Sequence, residues 1–161
     1  FDSKPEYGSA FYVTLPRNND KMENRPGVKK PELVLESKNK LSKCIVSVED
    51  DKASIEYLKI AINTLGYQLH NFNNAREAIN YLKENNVDLI LMDVQLPEMN
   101  GFEATRKIKA EFPKLPVIIQ TAYAMKTDME KAFQAGCDDY LSKPLSLRLL
   151  KEKIKKYIEV N

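Results

Sequence analysis

Val87-Asp88-Leu89-Ile90-Leu91-Met92-Asp93-Val94-Gln95-Leu96-Pro97-Glu98-Met99-Asn100-Gly101 decides how the chain folds. Val87 to Met92 is a short apolar run with one early charge, the mark of a buried strand. Asp93 ends it, and a Pro/Asn/Gly turn follows. In an open parallel sheet, ligands bind in the crevice outside the carboxyl ends of the strands. An aspartate placed there is a candidate nucleophile or metal ligand.

Working outward, three further apolar runs end in polar groups. Cys44 to Val48 leads into Glu49-Asp50-Asp51, Val117 to Gln120 into Thr121-Ala122, and Tyr140 to Ser142 into Lys143-Pro144. Between the runs lie segments with helical periodicity. The first is expected over 52–65, with Ile55, Leu58, Ile62 and Leu65 on one face and Gly66 closing it. A strand over 67–72 follows. The second helix follows Asn74, with Glu77 three residues on, and buries Ala75, Ala78, Ile79 and Leu82. The third spans about 101–111, turns Thr105, Ile108 and Phe112 inward and stops at Pro113. The fourth is expected to be capped by Thr127 with Glu130 and to end at Gly136. The fifth starts after Ser146 and buries Leu147, Leu150, Ile154 and Ile158. Five strand–helix repeats imply parallel strands with right-handed crossovers, an α/β architecture. Acids, a hydroxyl and an ammonium then gather at one edge of the sheet.

That ordered set resembles the receiver domain of two-component response regulators, over roughly residues 43–160. The wording Met-Asp-Val-Gln-Leu-Pro-Glu-Met-Asn-Gly and Asp-Asp-Tyr-Leu-Ser-Lys-Pro is most similar to receivers fused to hybrid histidine kinases. The resemblance implies a flavodoxin-like (βα)5 three-layer sandwich with parallel strand order 2-1-3-4-5. It implies that Asp93 accepts a phosphoryl group from a phosphohistidine donor, either a kinase dimerisation domain or a histidine phosphotransfer protein. Mg²⁺ would be held by Glu49, Asp50, Asp93 and the backbone carbonyl of Gln95, in keeping with that ion's preference for oxygen ligands. Many receivers carry Asp where this chain has Glu49. Asp51 is read as a helix cap. Lys143 and Thr121 would contact the phosphoryl oxygens, with Lys143-Pro144 in the cis form. Tyr140 matches the aromatic that moves with Thr121 in switching, and Tyr123 stands where bulk limits attack by water.

The rest of the chain is read as follows. Tyr7 to Pro16 resembles the final strand of a histidine kinase ATP-binding domain, so 1–16 is assigned to such a remnant. Residues 17–42, rich in Asn, Lys, Glu and Pro, are assigned to a linker, and 43–161 to the receiver. The N-terminal tail is thus expected to be mostly irregular. Opening on Phe1, the chain reads as part of a longer protein. Residues 44–161 carry 16 basic and 17 acidic side chains, which argues against a nucleic-acid surface, whereas 17–43 carry 8 and 4. With no long apolar run, no membrane contact and a cytoplasmic setting are expected, and a homodimer is among the allowed partners. His70 is the one histidine, and Cys44 and Cys137 are the two cysteines. The cysteines are read as structural rather than reactive, and His70 as structural or exposed.

A haloacid-dehalogenase-type phosphatase would need a second Asp two residues after the nucleophile, where Gln95 stands. A flavin or nucleotide binder would need a glycine-rich phosphate loop, and none occurs. A stand-alone regulator and a degenerate receiver used for docking stay open.

Overall fold

The computed structural model describes residues 2–4, 8–10, 43–122 and 126–159. The chain divides into two compact units, 1–38 and 39–161. In the first, β1 (Asp2–Lys4) and β2 (Gly8–Ala10) pair antiparallel, with Ser3 opposite Ser9. The strand expected over 7–16 is therefore described only at Gly8–Ala10. Its remaining residues, and the linker 17–42, lie outside the described residues.

The second unit alternates strand and helix. In order they are β3 (Cys44–Val48), α1 (Lys52–Thr64), β4 (Gln68–Phe72), α2 (Ala75–Glu84), β5 (Leu89–Asp93), α3 (Gly101–Glu111), β6 (Val117–Thr121), α4 (Lys126–Gln134), β7 (Asp139–Ser142) and α5 (Leu147–Ile158). The five strands pair parallel in the order β4-β3-β5-β6-β7, the expected 2-1-3-4-5 arrangement. β5 and β6 are buried along their whole length, as central strands covered on both faces must be. Edge strand β4 alternates, exposing Gln68 and His70.

Two apolar clusters cover the two faces. On one, Val46, Ile90, Met92 and Ile119 meet Ala78 and Leu82 of α2 and Ile108 of α3. On the other, Ile45, Leu89, Leu91 and Ile118 meet Leu58 and Ile62 of α1 and Leu150 and Ile154 of α5. The alternation of Ile90 and Met92 with Leu89 and Leu91 is the period-2 pleat of one strand serving both layers. Each fully buried Leu or Ile contributes roughly 2 kcal/mol.

Helix ends follow the local chemistry. Asp51 accepts the Ser54 N–H at 2.8 Å, Asn74 that of Glu77 at 2.9 Å and Asn100 that of Glu103 at 2.9 Å. Gly66 and Gly136 close helices in the left-handed region, at φ +82° and +89°. Two expectations fail. Thr127 does not cap α4, because that helix already includes Lys126, and Asp128 is the acid of its first turn. Leu147 is 45% exposed rather than buried. Leu145, just before the Ser146 cap, joins the cluster that holds Leu150, so the inward place at the helix entrance is already filled.

Gly101 has a different reason to be glycine. A Cβ there would lie 2.0 Å from the carbonyl oxygen of Asp93, and its N–H donates to Val94 O at 3.0 Å. Helix α3 thus starts directly against the end of β5.

Candidate functional site

Every strand that carries a candidate residue delivers it at the same edge. Glu49 and Asp50 follow β3, Asp93 is the last residue of β5, Thr121 is the last of β6, and Lys143 follows β7. The Lys143-Pro144 bond is cis. Parallel pairing places these ends side by side, with Asp93 opposite Gln120 and Thr121 opposite Ser142.

Glu49, Asp50 and Asp93 bring one carboxylate oxygen each to within 4.8 Å of one another. Lys143 reaches into this group. Its Nζ lies 2.6 Å from Glu49 Oε2 and 3.1 Å from Asp93 Oδ1. The Val94 N–H donates to Asp93 Oδ1 at 2.9 Å, and the Asp51 N–H to Glu49 Oε1 at 3.2 Å. Glu49 and Asp93 are buried, Thr121 is buried beside them, and Asp50 is exposed at the mouth. The Lys143 N–H donates to Thr121 O at 2.8 Å, fixing the lysine's backbone against the end of β6.

The electrostatics follow from burial and charge. Desolvation pushes the Asp93 carboxyl above its ordinary range, although Lys143 and the Val94 N–H pull the other way. Glu49 is raised for the same first reason, with Lys143 opposing and Asp93 adding to the rise. Burial acts to lower Lys143, but Glu49 and Asp93 outweigh it and leave its pKa raised. The site therefore holds more negative charge than its lysine balances. An all-oxygen donor set of this kind fits a hard divalent cation such as Mg²⁺.

A cavity of 130 Å³ opens at this point, lined by Asp93, Val94, Gln95, Thr121, Ala122, Asp128 and Lys143. A larger cavity of 520 Å³ lies at the other end of the sheet, among Lys43, Leu82, Phe112 and Leu115. Size alone would have misplaced the chemistry.

Gln95 is exposed beside Asp93. Tyr140 is half-buried in β7, edge-on to Phe133 at 6.1 Å, with Lys153 Nζ 5.5 Å from its ring centre. Tyr123 lies outside the described residues. His70 sits on β4 away from the acids, its ring 5.2 Å from that of Tyr81. Cys44 and Cys137 are free thiols. Asp128 was not singled out from the sequence. The signal available was an acid seven residues after Thr121, in the first turn of the next helix. Among the described residues no helix is long and apolar enough to cross a membrane.

Residues 45–155 match the family model described as response regulator receiver domain. The chain is similar to the polar-differentiation response regulator DivK of Brucella anthropi, 40% identical over 120 residues that cover 73% of this chain and 98% of the relative. Among solved structures it resembles the receiver domain of sensor histidine kinase PA1611 from Pseudomonas aeruginosa PAO1, which has a magnesium ion coordinated in its active site cleft. That likeness has a TM-score of 0.69 and 32% identity, covering 73% of this chain and 98% of that one. It also resembles the signal receiver domain of a signal transduction histidine kinase from Syntrophus aciditrophicus, with a TM-score of 0.68 and 32% identity over 73% and 91% of the two chains.

Proposed function

The chain belongs to the response regulator receiver family, and from that premise we propose that it is an active phosphoacceptor of a two-component phosphorelay, with Asp93 as the accepting residue. The observation that carries this reading is the triple of Glu49, Asp50 and Asp93 gathered around a single ammonium, Lys143. Three acids and one base at a sheet edge suit a site that receives both a cation and an anion.

In the proposed reaction an Asp93 carboxylate oxygen forms a bond to the phosphorus of a phosphohistidine. The phosphorus–nitrogen bond breaks, and its electron pair stays on the imidazole. Transfer of this kind depends on positioning and charge neutralisation more than on covalent help from the protein. Lys143 would turn from the carboxylates to the arriving phosphoryl oxygens as a point charge, and Thr121 would donate its hydroxyl. Glu49, Asp50, Asp93 and the Gln95 carbonyl would hold Mg²⁺, which supplies positive charge between two anionic reactants. Tyr140 would move inward as Thr121 turns to the phosphoryl group, a local charge change biasing a two-state element. Tyr123 would shield the adduct from water.

The assignment of 1–16 to a kinase remnant, 17–42 to a linker and 43–161 to the receiver belongs to the same proposal. It makes the parent a hybrid sensor histidine kinase, with a kinase or phosphotransfer protein as donor. The sequence likeness of 7–16 supports it, as does the similarity to receivers from two histidine kinases. A second reading, a regulator acting by itself, is favoured by the DivK relatives, which are matched over almost their whole length.

The test is intact-protein mass after incubation with phosphoramidate and Mg²⁺, beside Asp93→Asn. The expected result is one base-labile phosphoryl adduct that needs the cation and is absent from the variant. An unmodified chain across several small donors would leave a degenerate docking receiver.

A further inference from the structure

Resting on the receiver reading above, we propose that Asp128 is the base that holds the water which removes the phosphoryl group from Asp93 and takes its proton, and so sets the lifetime of the adduct. Asp128 stands in the first turn of α4 and lines the same 130 Å³ cavity as Asp93, Thr121 and Lys143. In a cavity this small, a group on the wall lies close to whatever Asp93 carries.

Water that attacks phosphorus needs an acceptor for its proton. Asp93 cannot serve, since its carboxylate is consumed in the acyl phosphate. Lys143 is a donor, and Val94 and Ala122 offer the cavity no side-chain acceptor. Gln95 is neutral and exposed. Among the described lining residues, Asp128 is the one carboxylate besides Asp93. Its ion pair with Lys131 is 3.4 Å long, and that lysine is 60% exposed, so the pair is weak and screened. An acid in a first helical turn is favoured by the helix dipole. That accounts for its place on the helix and not for its facing the cleft.

The step balances simply. The water oxygen bonds to phosphorus while the bond from phosphorus to the Asp93 oxygen breaks, and its electron pair restores the Asp93 carboxylate. The water's proton passes to Asp128 and then to bulk solvent, and inorganic phosphate leaves.

The experiment uses the full chain and Asp128→Asn, each loaded with phosphoramidate and Mg²⁺, then freed of donor and followed by intact mass. Loss of the adduct should slow about a hundredfold or more in the variant, the lower end of the range for a positioned base. Its rate of formation and the Mg²⁺ affinity by calorimetry should stay unchanged. Asp128→Ser, which keeps a small polar residue at the helix start, should behave as Asn does. Slowing of less than about tenfold, which is below that range, or formation and loss changing together as general charge repulsion or a displaced cleft would make them, overturns the proposal. An adduct that forms normally and decays alike in all three chains sinks this role alone. A parent chain that takes no adduct sinks the receiver reading and this role with it.

Discussion

At the N-terminal edge of the sheet Asp88 and Asp138 each hold one strand-opening N–H and one lysine, whereas at the C-terminal edge Glu49, Asp50 and Asp93 gather around Lys143. Asp88 accepts from the Cys44 N–H and from Lys43, both at 2.8 Å. Asp138 accepts the Val117 N–H at 2.8 Å and pairs with Lys109 at 2.6 Å, while Lys109 also donates to Leu115 O. Those acids are matched partner for partner, and their work is to tie strands and helices together. The acids at the other edge outnumber their base. A structural carboxylate is told here from one available for chemistry by the balance of charge around it, since position at a strand end is common to both.

The largest effect is expected at Asp138. Lys109 is only 14% exposed, so Asp138→Ala leaves a nearly buried ammonium short of its partner and strips the acceptor from the Val117 N–H. Stability should fall by about 3 kcal/mol in a denaturant titration, with adduct formation on Asp93 unaffected. A loss below about 1 kcal/mol would put Asp138 among the surface charges.

Next in size is the opposite sign at the other edge. Asp93 and Glu49 have pKa values raised in the fold. Such groups stabilise fully below their ordinary pKa and lose that contribution as pH rises through the raised value. At neutral pH their charge therefore works against folding. Asp93→Asn should raise the melting temperature at pH 7 by several degrees. The gap should close as pH falls through the carboxylate range, and Mg²⁺ should narrow it by stabilising the parent. Asp139, at the start of β7, behaves in reverse. Burial acts to raise it, but Lys153, the Tyr140 N–H and Lys156 outweigh this and leave it lowered. Its contribution is present above the ordinary Asp pKa and lost as pH falls through the lowered one. A variant whose advantage grew in acid would contradict the assignment.

The smallest effect is expected at Asp88. Asp88→Asn keeps an acceptor for the Cys44 N–H and gives up only the pair with Lys43, which is 47% exposed. The cost should stay below about 1 kcal/mol and fade with added salt. A larger, salt-independent loss would mean that this lysine is structural as Lys109 is.

The sequence made the gathering of Glu49, Asp50, Asp93, Thr121 and Lys143 legible for one physical reason. Parallel strands end on the same side, so a polar residue just after an apolar run has its location fixed by topology. The two apolar faces were legible too, because a strand read by twos and a helix read by threes and fours leave little choice for residues such as Ile90, Leu91 and Ile108. What stayed hidden depends on side-chain reach. Period says that Leu147 shares a face with Leu150, but not that Leu145 already fills the space inside. Spacing gives no hint that Lys109 bridges Asp138 and a carbonyl of the next loop, or that the long side chain of Lys143 settles on Glu49 as well as Asp93. Asp128 was hidden because its position depends on how α4 is set against the sheet, which no local pattern records.

The contact between Gly101 and the Asp93 carbonyl has a meaning for how such a chain can diversify. Residues 94–100 leave the sheet and return to within touching distance of where they left, closed by the Gly101 N–H on Val94 O. The loop is a cassette clasped at its base. Its exposed side chains, Gln95, Pro97 and Glu98, can be exchanged without moving Asp93 or the helix that follows, whereas Leu96 and Met99 pack against the core. Recognition and chemistry can therefore vary separately on adjoining residues, with a single glycine as the seam between them.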